Sequence, residues 1–311
     1  MRNSPLAGWV NNMEFSEQYQ SYLDQINQVI EEEFQVPDLP QRHVFEAMRY
    51  GILGGGKRIR PVLTMAVCDL LGGSLKDAAA VGCAVECIHN YSLIHDDLPC
   101  MDNDDLRRGR PTCHRVFPEN IALLAGDGLL NRAFELLSDT HRYENMTPSA
   151  VLAVIRAVSR AAGAFGMIGG QVIDLECENR TDVTLEELRE LHAGKTGELI
   201  RVSAACGCLC AGVLDDKDKK YQKIAQFSAK LGLAFQIKDD ILDVVGQEEI
   251  LGKPVGSDAE SHKNTFVSLM GLEQAERELE RLTAEAQGAL DGFVRADFLL
   301  ALADYLLNRN Y

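Results

Sequence analysis

Two groups of aspartates, Asp96-Asp97-Leu-Pro-Cys-Met-Asp102 and Asp239-Asp240-Ile-Leu-Asp243, stand far apart in the chain. Carboxylates this dense repel one another, and burying them unpaired costs several kcal/mol apiece. A site that joins both groups therefore needs cations between them. Donor sets made only of oxygen select hard divalent ions, magnesium first.

Asp96 and Asp102 bracket Pro99, so their carboxylates converge only if a helix end loosens there. A solvated acidic surface is the alternative. The apolar Tyr91-Ser-Leu-Ile94 before the run, and Asp104, Asp105, Arg107 and Arg108 after it, weigh against that alternative. In the second group Asp239 and Asp243 share one helical face, with Gln236 a turn below. An exposed acidic helix would also carry such a pattern, but Leu231, Phe235, Ile237, Ile241 and Leu242 make this a core helix.

Cations complement the acids. Gly54-Gly-Gly-Lys57-Arg58-Ile-Arg60-Pro61 sets Lys57, Arg58 and Arg60 beside backbone that a ligand can approach closely, as a phosphate cradle does. The P-loop spacing is missing. Lys195-Thr196-Gly197 and Leu251-Gly252-Lys253-Pro254 are weaker phosphate candidates. His89 lies two helical turns before Asp96 on nearly the same face, where a satisfied core histidine is the plain alternative. Gly166, Gly169 and Gly170, ahead of Gln171 and Asp174, read as close helix packing or a helix break. No Ser/His/Asp or Cys/His nucleophile pattern and no dinucleotide fingerprint stands out.

These groups need a scaffold, and composition indicates helices. The 311 residues are 46% hydrophobic but only 6% aromatic, rich in Ala, Leu, Glu and Gln, and poor in Pro after Pro148. Apolar periodicity predicts helices from about residue 13 until Pro37 and Pro40 end the first, then up to Leu53, and from Pro61 to Gly72. Further ones are predicted over Ala78–Leu98, Ile121–Ser138, Ser149–Gly163, Leu185–Leu214, Lys219–Val245, Leu272–Leu290 and Ala296–Leu307. No linker or fixed-period repeat marks a boundary, so a single all-α domain over 13–311 is expected, with residues 1–12 an unassigned extension.

The net charge of −16 argues against a nucleic-acid binder, which wants a broad basic face. Local Lys and Arg clusters against that trend fit a small polyanion instead. Nine cysteines form no disulfide framework and read as reduced core residues. The absence of a signal pattern, or of an apolar run of about 18 to 20 residues, leads to the expectation of a cytoplasmic protein with no membrane span.

Taken together, Gly-Gly-Lys57-Arg-Ile-Arg60-Pro, Glu86-Cys-Ile-His89, Tyr91-Ser-Leu-Ile-His-Asp96-Asp97-Leu-Pro-Cys-Met-Asp102, Arg107-Arg108-Gly, Gly169-Gly-Gln-Val-Ile-Asp174, His192-Ala-Gly-Lys195-Thr196-Gly and Phe235-Gln236-Ile-Lys-Asp239-Asp240-Ile-Leu-Asp243 closely resemble the trans-prenyl diphosphate synthases. The resemblance runs from about residue 40 to the C-terminal segment around Tyr305, and is strongest to the bacterial farnesyl-forming branch.

It implies an antiparallel helical bundle around a deep central cavity, a homodimer, and three magnesium ions per site, with manganese a possible substitute. Asp96, Asp102 and Asp239 would be the main metal ligands, supported by Asp97, Asp240 and Asp243. Arg107, Lys195 and Lys253 would grip an allylic diphosphate, dimethylallyl or geranyl. Lys57, Arg60, His89 and Arg108 would hold isopentenyl diphosphate, and Thr196 and Gln236 would line the reaction centre. Metal and basic side chains would neutralise the departing diphosphate, an allylic cation would result, and isopentenyl diphosphate would attack it. Tyr91, with Ser92 beside it one turn below Asp96, would stop the growing chain at fifteen carbons. Geranylgeranyl or geranyl synthases, terpene cyclases and a non-catalytic partner subunit are the rivals. The retained Lys57, Arg60, His89 and Arg108 count against a cyclase, which needs no second diphosphate site.

Overall fold

The computed structural model describes residues 5–178, 180–245 and 264–307, with side chains from Glu14 onward. It is all-α. The helices are α1 (Pro5–Glu33), α2 (Arg42–Ile52), α3 (Ile59–Leu70), α4 (Leu75–Asp96), α5 (Cys113–Val116), α6 (Glu119–Ser138), α7 (Pro148–Ala162), α8 (Met167–Cys177), α9 (Leu185–His192), α10 (Glu198–Cys210), α11 (Lys219–Val245), α12 (Phe266–Met270), α13 (Leu272–Ala289) and α14 (Asp297–Leu307). A two-stranded antiparallel hairpin, β1 (Leu106–Arg107) and β2 (Arg110–Pro111), interrupts them.

Helices that are apolar all round lie at the centre. Pro61 through Cys68 of α3 are buried without a break, as are Leu199 through Cys210 of α10 except Arg201, and most of α4. Around them pack α1, α6, α7 and α11, and α13 covers α11 with Ala275, Leu282 and Ala286. Starts follow local chemistry. Ser74 Oγ accepts from the Asp77 N–H at 3.2 Å to cap α4, and Thr184 with Glu187 forms a capping box on α9.

Several boundaries differ from the sequence expectation. α1 begins at Pro5, inside the stretch read as an extension. The helix α8 is new, because its glycines depress local propensity while tertiary packing sustains it. The run predicted over Leu185–Leu214 is split by a π-helical turn at Ala193–Gly197. Pro148–Cys177 has the length and hydropathy of a membrane span, contrary to the expectation of none. The chain breaks between α7 and α8, however, and 39% of that window is buried. Eight cysteines are buried and all nine are free, but Cys100, inside the first aspartate group, is exposed rather than in the core.

Candidate active site

Asp96 is the last residue of α4, and the helix loosens directly after it. The Met101 and Asn103 N–H groups both turn back to the Leu98 carbonyl, and Asn103 adopts a left-handed φ of 53°. The Asp102 N–H then donates to the Asp96 carbonyl at 2.9 Å, so the loop returns Asp102 to the helix end. Asp97, 3% exposed, accepts from Arg107 Nε at 2.7 Å, and Arg107 Nη2 lies 2.6 Å from the same oxygen. Asp104 is 3.6 Å from that guanidinium. Burial opposes the charge on Arg107, but Asp97 outweighs it and holds the group above its ordinary range.

The hairpin separates the two arginines. Arg108 and Gly109 have φ of 55° and 72°, the left-handed pair that a two-residue hairpin turn demands. Arg107 points back to Asp97, while Arg108 reaches the Gly55 carbonyl in the glycine-rich turn. Gly56 has φ of 119°, a conformation that requires glycine, and the Arg108 guanidinium lies where a Cβ would point, 2.4 Å from it.

Arg58 continues that turn in the left-handed region at φ 48°. Its guanidinium donates to Glu86 Oε1 at 2.8 Å and to the Ile52 carbonyl at 2.6 Å, and Asn90 Nδ2 donates to Glu86 Oε1 at 3.2 Å. Of the three basic residues in the turn, Arg58 is therefore the structural one. Arg60 is pulled down to about 10 by burial; Glu86 and Asp239 offset this in part, and Arg108 adds to it. The same surroundings hold His89 well below its ordinary range, through burial first and then Arg60, Arg108, Arg107 and Arg58. Burial and the nearby guanidinium charges thus favour the neutral imidazole.

Lys195 comes from the π-helical turn, an irregularity frequent at functional sites. Its ammonium donates to Asp174 Oδ2 of α8 at 2.6 Å. Burial opposes its charge, but Asp174, Asp96 and Asp102 together keep it above its ordinary value, so it faces the first aspartate group. A Cβ on Gly170 would lie 2.0 Å from the Lys195 backbone nitrogen and 2.6 Å from the Gly194 carbonyl carbon. Both sequence alternatives are met: Gly166 caps α8 at the break after α7, and Gly170 permits close packing. Gly170→Ala is expected to destabilise the fold by about 2 kcal/mol, read as a lower urea midpoint, because backbone rather than a flexible side chain must give way.

The turn rests on α11, where a Cβ at Gly232 would meet the Gly197 Cα at 3.3 Å. Gln236 and Asp239 follow Gly232 at four and seven residues, on the same face. They lie on the α11 face that meets the turn carrying Lys195 and Thr196. Asp240 is buried and accepts from the Phe266 N–H at 2.7 Å, fastening the start of α12, and Asp243 is buried beside it. Lys253 lies outside the described residues. Lys57 sits with its ammonium 6.0 Å from the ring centroid of Tyr305.

One turn before Asp96, Ser92 Oγ donates to the His89 carbonyl at 2.9 Å. Tyr91 is 5% exposed, its ring set edge-on to His95 with centroids 5.7 Å apart. Its hydroxyl makes no hydrogen bond, and burial with the charge of Asp96 pushes it up to about 12.

The donor set suits a divalent cation. Asp96 is raised by burial and by its neighbours Asp102 and Asp97, against the pull of Lys195 and Arg107, and a metal ion would reverse that. Among the described residues no three candidate side chains converge to hold an ion alone. Magnesium asks for less, since one or two carboxylates plus substrate phosphates complete its shell. Sequence reasoning named Asp97 only as a metal-supporting residue and gave Glu86 no role; their pairing with Arg107 and Arg58 was missed. An acidic residue one turn before His89 on an apolar helix was the available signal for Glu86.

The Polyprenyl synthetase family model matches residues 41–291. The chain is 44% identical over 284 residues to a farnesyl diphosphate synthase of Bacillus subtilis, covering 91% of this chain and 93% of that one. It is also 44% identical over 269 residues to a chloroplastic geranylgeranyl pyrophosphate synthase of Capsicum annuum, 86% and 72% of the two chains. Among solved structures it resembles an FPP/GFPP synthase from Zymomonas mobilis, with TM-score 0.84 and 38% identity over 95% of this chain and 99% of that one. A geranylgeranyl pyrophosphate synthetase from Pyrococcus horikoshii gives TM-score 0.85 at 30% identity over 96% and 99%. By family model, curated relatives and fold alike, the chain belongs to the polyprenyl synthetase family and is a prenyltransferase.

Proposed function

We propose that the protein joins dimethylallyl or geranyl diphosphate to isopentenyl diphosphate, head to tail, releases pyrophosphate, and yields farnesyl diphosphate as its main product. The observation that carries this reading is that Lys195, held by Asp174 in a turn packed on the α11 face that bears Gln236 and Asp239, feels the charge of Asp96 and Asp102, while Arg60, Arg108 and His89 act on one another nearby. Such an arrangement serves two anionic substrates.

Asp96, Asp102 and Asp239 would hold three magnesium ions, or manganese in their place, with Asp97, Asp240 and Asp243 in support. When bound, the metal would supply the positive charge that stabilises a departing diphosphate. Lys195, oriented by Asp174, would grip that diphosphate with Arg107 and Lys253. Arg60, Lys57 and Arg108 would bind isopentenyl diphosphate, and the neutral His89 would donate a hydrogen bond rather than a charge. Thr196 and Gln236 would turn their dipoles toward the allylic cation, and closure of the site would keep water from it. No side chain here is placed as the base, so the released pyrophosphate would take the proton.

Tyr91 supports the fifteen-carbon product, because its buried ring fills the space one turn below Asp96. The geranylgeranyl reading rests on relatives of that name with identity equal to the farnesyl one. A cytoplasmic homodimer completes the proposal. Exposed Leu123 and Leu124 on α6 and Leu152 on α7 offer the apolar surface for self-association.

Mass spectrometry of products from purified protein with magnesium, dimethylallyl diphosphate and excess isopentenyl diphosphate tests this. Farnesyl diphosphate is expected. A twenty-carbon main product would replace the length assignment, and no condensation by folded protein would overturn the reaction.

A further inference from the structure

We infer that Tyr19 of α1 is a positioning residue for Lys57, so that α1 and α14, which flank the matched region 41–291, complete the isopentenyl diphosphate end of the site. This rests on the function proposed above. The Tyr19 hydroxyl donates to the Lys57 carbonyl, across 38 positions in sequence. That carbonyl belongs to the peptide leading into Arg58, whose left-handed φ of 48° is costly for a residue with a side chain and persists only where its surroundings fix it.

The two sides of this peptide are fixed by different elements. On the Arg58 side, its guanidinium is tied to Glu86 and the Ile52 carbonyl. On the Lys57 side, Gly55 and Gly56 take left-handed φ of 85° and 119°, and Arg108 holds the Gly55 carbonyl. The hydroxyl of Tyr19 adds a hold on the Lys57 carbonyl itself.

The Lys57 side chain is placed by the same cluster. Its ammonium is 6.0 Å from the ring centroid of Tyr305 on α14, within reach of the ring face. The rings of Tyr19 and Tyr305 are 5.7 Å apart, and Phe15 packs 5.7 Å from each and 5.2 Å from Phe298. Burial, with Tyr305 and Glu86 nearby, keeps the Tyr19 hydroxyl protonated and therefore a donor. α1 and α14 thus form one aromatic wall that aims the Lys57 ammonium and pins its backbone.

The test is Tyr19→Phe, which keeps the ring and removes the donor. KM for isopentenyl diphosphate should rise about fivefold, the effect of one neutral hydrogen bond. KM for the allylic diphosphate and the thermal midpoint should stay as in the parent. Tyr305→Leu should give the same one-sided rise, and Tyr19→Phe should add nothing in a Lys57→Ala background. An unchanged isopentenyl KM, or equal rises for both substrates with a lower midpoint, would overturn the inference. A parent protein that condenses neither substrate would instead overturn the function on which it rests.

Discussion

Asp239→Ala is expected to lower kcat/KM by about a thousandfold or more while leaving the helical circular dichroism intact. The magnitude follows from the role assigned to this carboxylate. Charge stabilisation by a bound divalent ion is worth several kcal/mol at a transition state, and about 4 kcal/mol corresponds to about a thousandfold in rate. Among the effects on the fold, two are small. Removing Asp239 relieves like-charge repulsion along the α11 face it shares with Asp243. It also deprives Arg60 of one of the two acidic neighbours that counter its burial, the other being Glu86. The variant should therefore fold, bind isopentenyl diphosphate as tightly as the parent or more so, and fail to ionise the allylic substrate. Turnover close to that of the parent in a folded variant would remove Asp239 from the metal assignment.

The second large effect concerns product length. Tyr91→Ala should shift the main product from fifteen carbons to twenty or more, because truncation opens space one turn below Asp96, where a growing chain would otherwise meet the ring. The truncation also leaves a cavity, at a cost of about 3 to 5 kcal/mol, so the midpoint of unfolding should fall as the product lengthens. Tyr91→Phe separates shape from polarity. The tyrosine hydroxyl is buried without a hydrogen bond, and its loss should leave product length unchanged and stability equal or slightly higher. An unchanged fifteen-carbon product from Tyr91→Ala, seen by mass spectrometry, would rule the ring out as the stop.

Legibility in the sequence tracked the range of the interaction. The helix from Lys219 was predicted at its start and holds to Val245, the last described residue there, and α6 to within two residues, because apolar spacing is a local signal. α8 was missed and the run over Leu185–Leu214 taken as unbroken, because both errors turn on one long-range contact. Gly170 must let its helix touch the backbone at Lys195, and the π-helical turn forms where the two meet. Residues 5–12, left unassigned for want of periodicity, are helical and run into the stretch whose Phe15 and Tyr19 dock on α14.

Residue types alone pointed to the class of chemistry: two aspartate groups, a glycine-rich basic turn and a second lysine resemble those of the prenyl diphosphate synthases, and the family match bears that class out. Which acid meets which base was decided only by the tertiary structure. Asp97 is bonded to Arg107, Asp240 to the start of α12, Asp174 to Lys195, and Glu86 to Arg58 rather than to Lys57 or Arg60. The physical reason is that a charge in a sequence has many partners within reach, and burial leaves it only those that packing brings to hydrogen-bond distance.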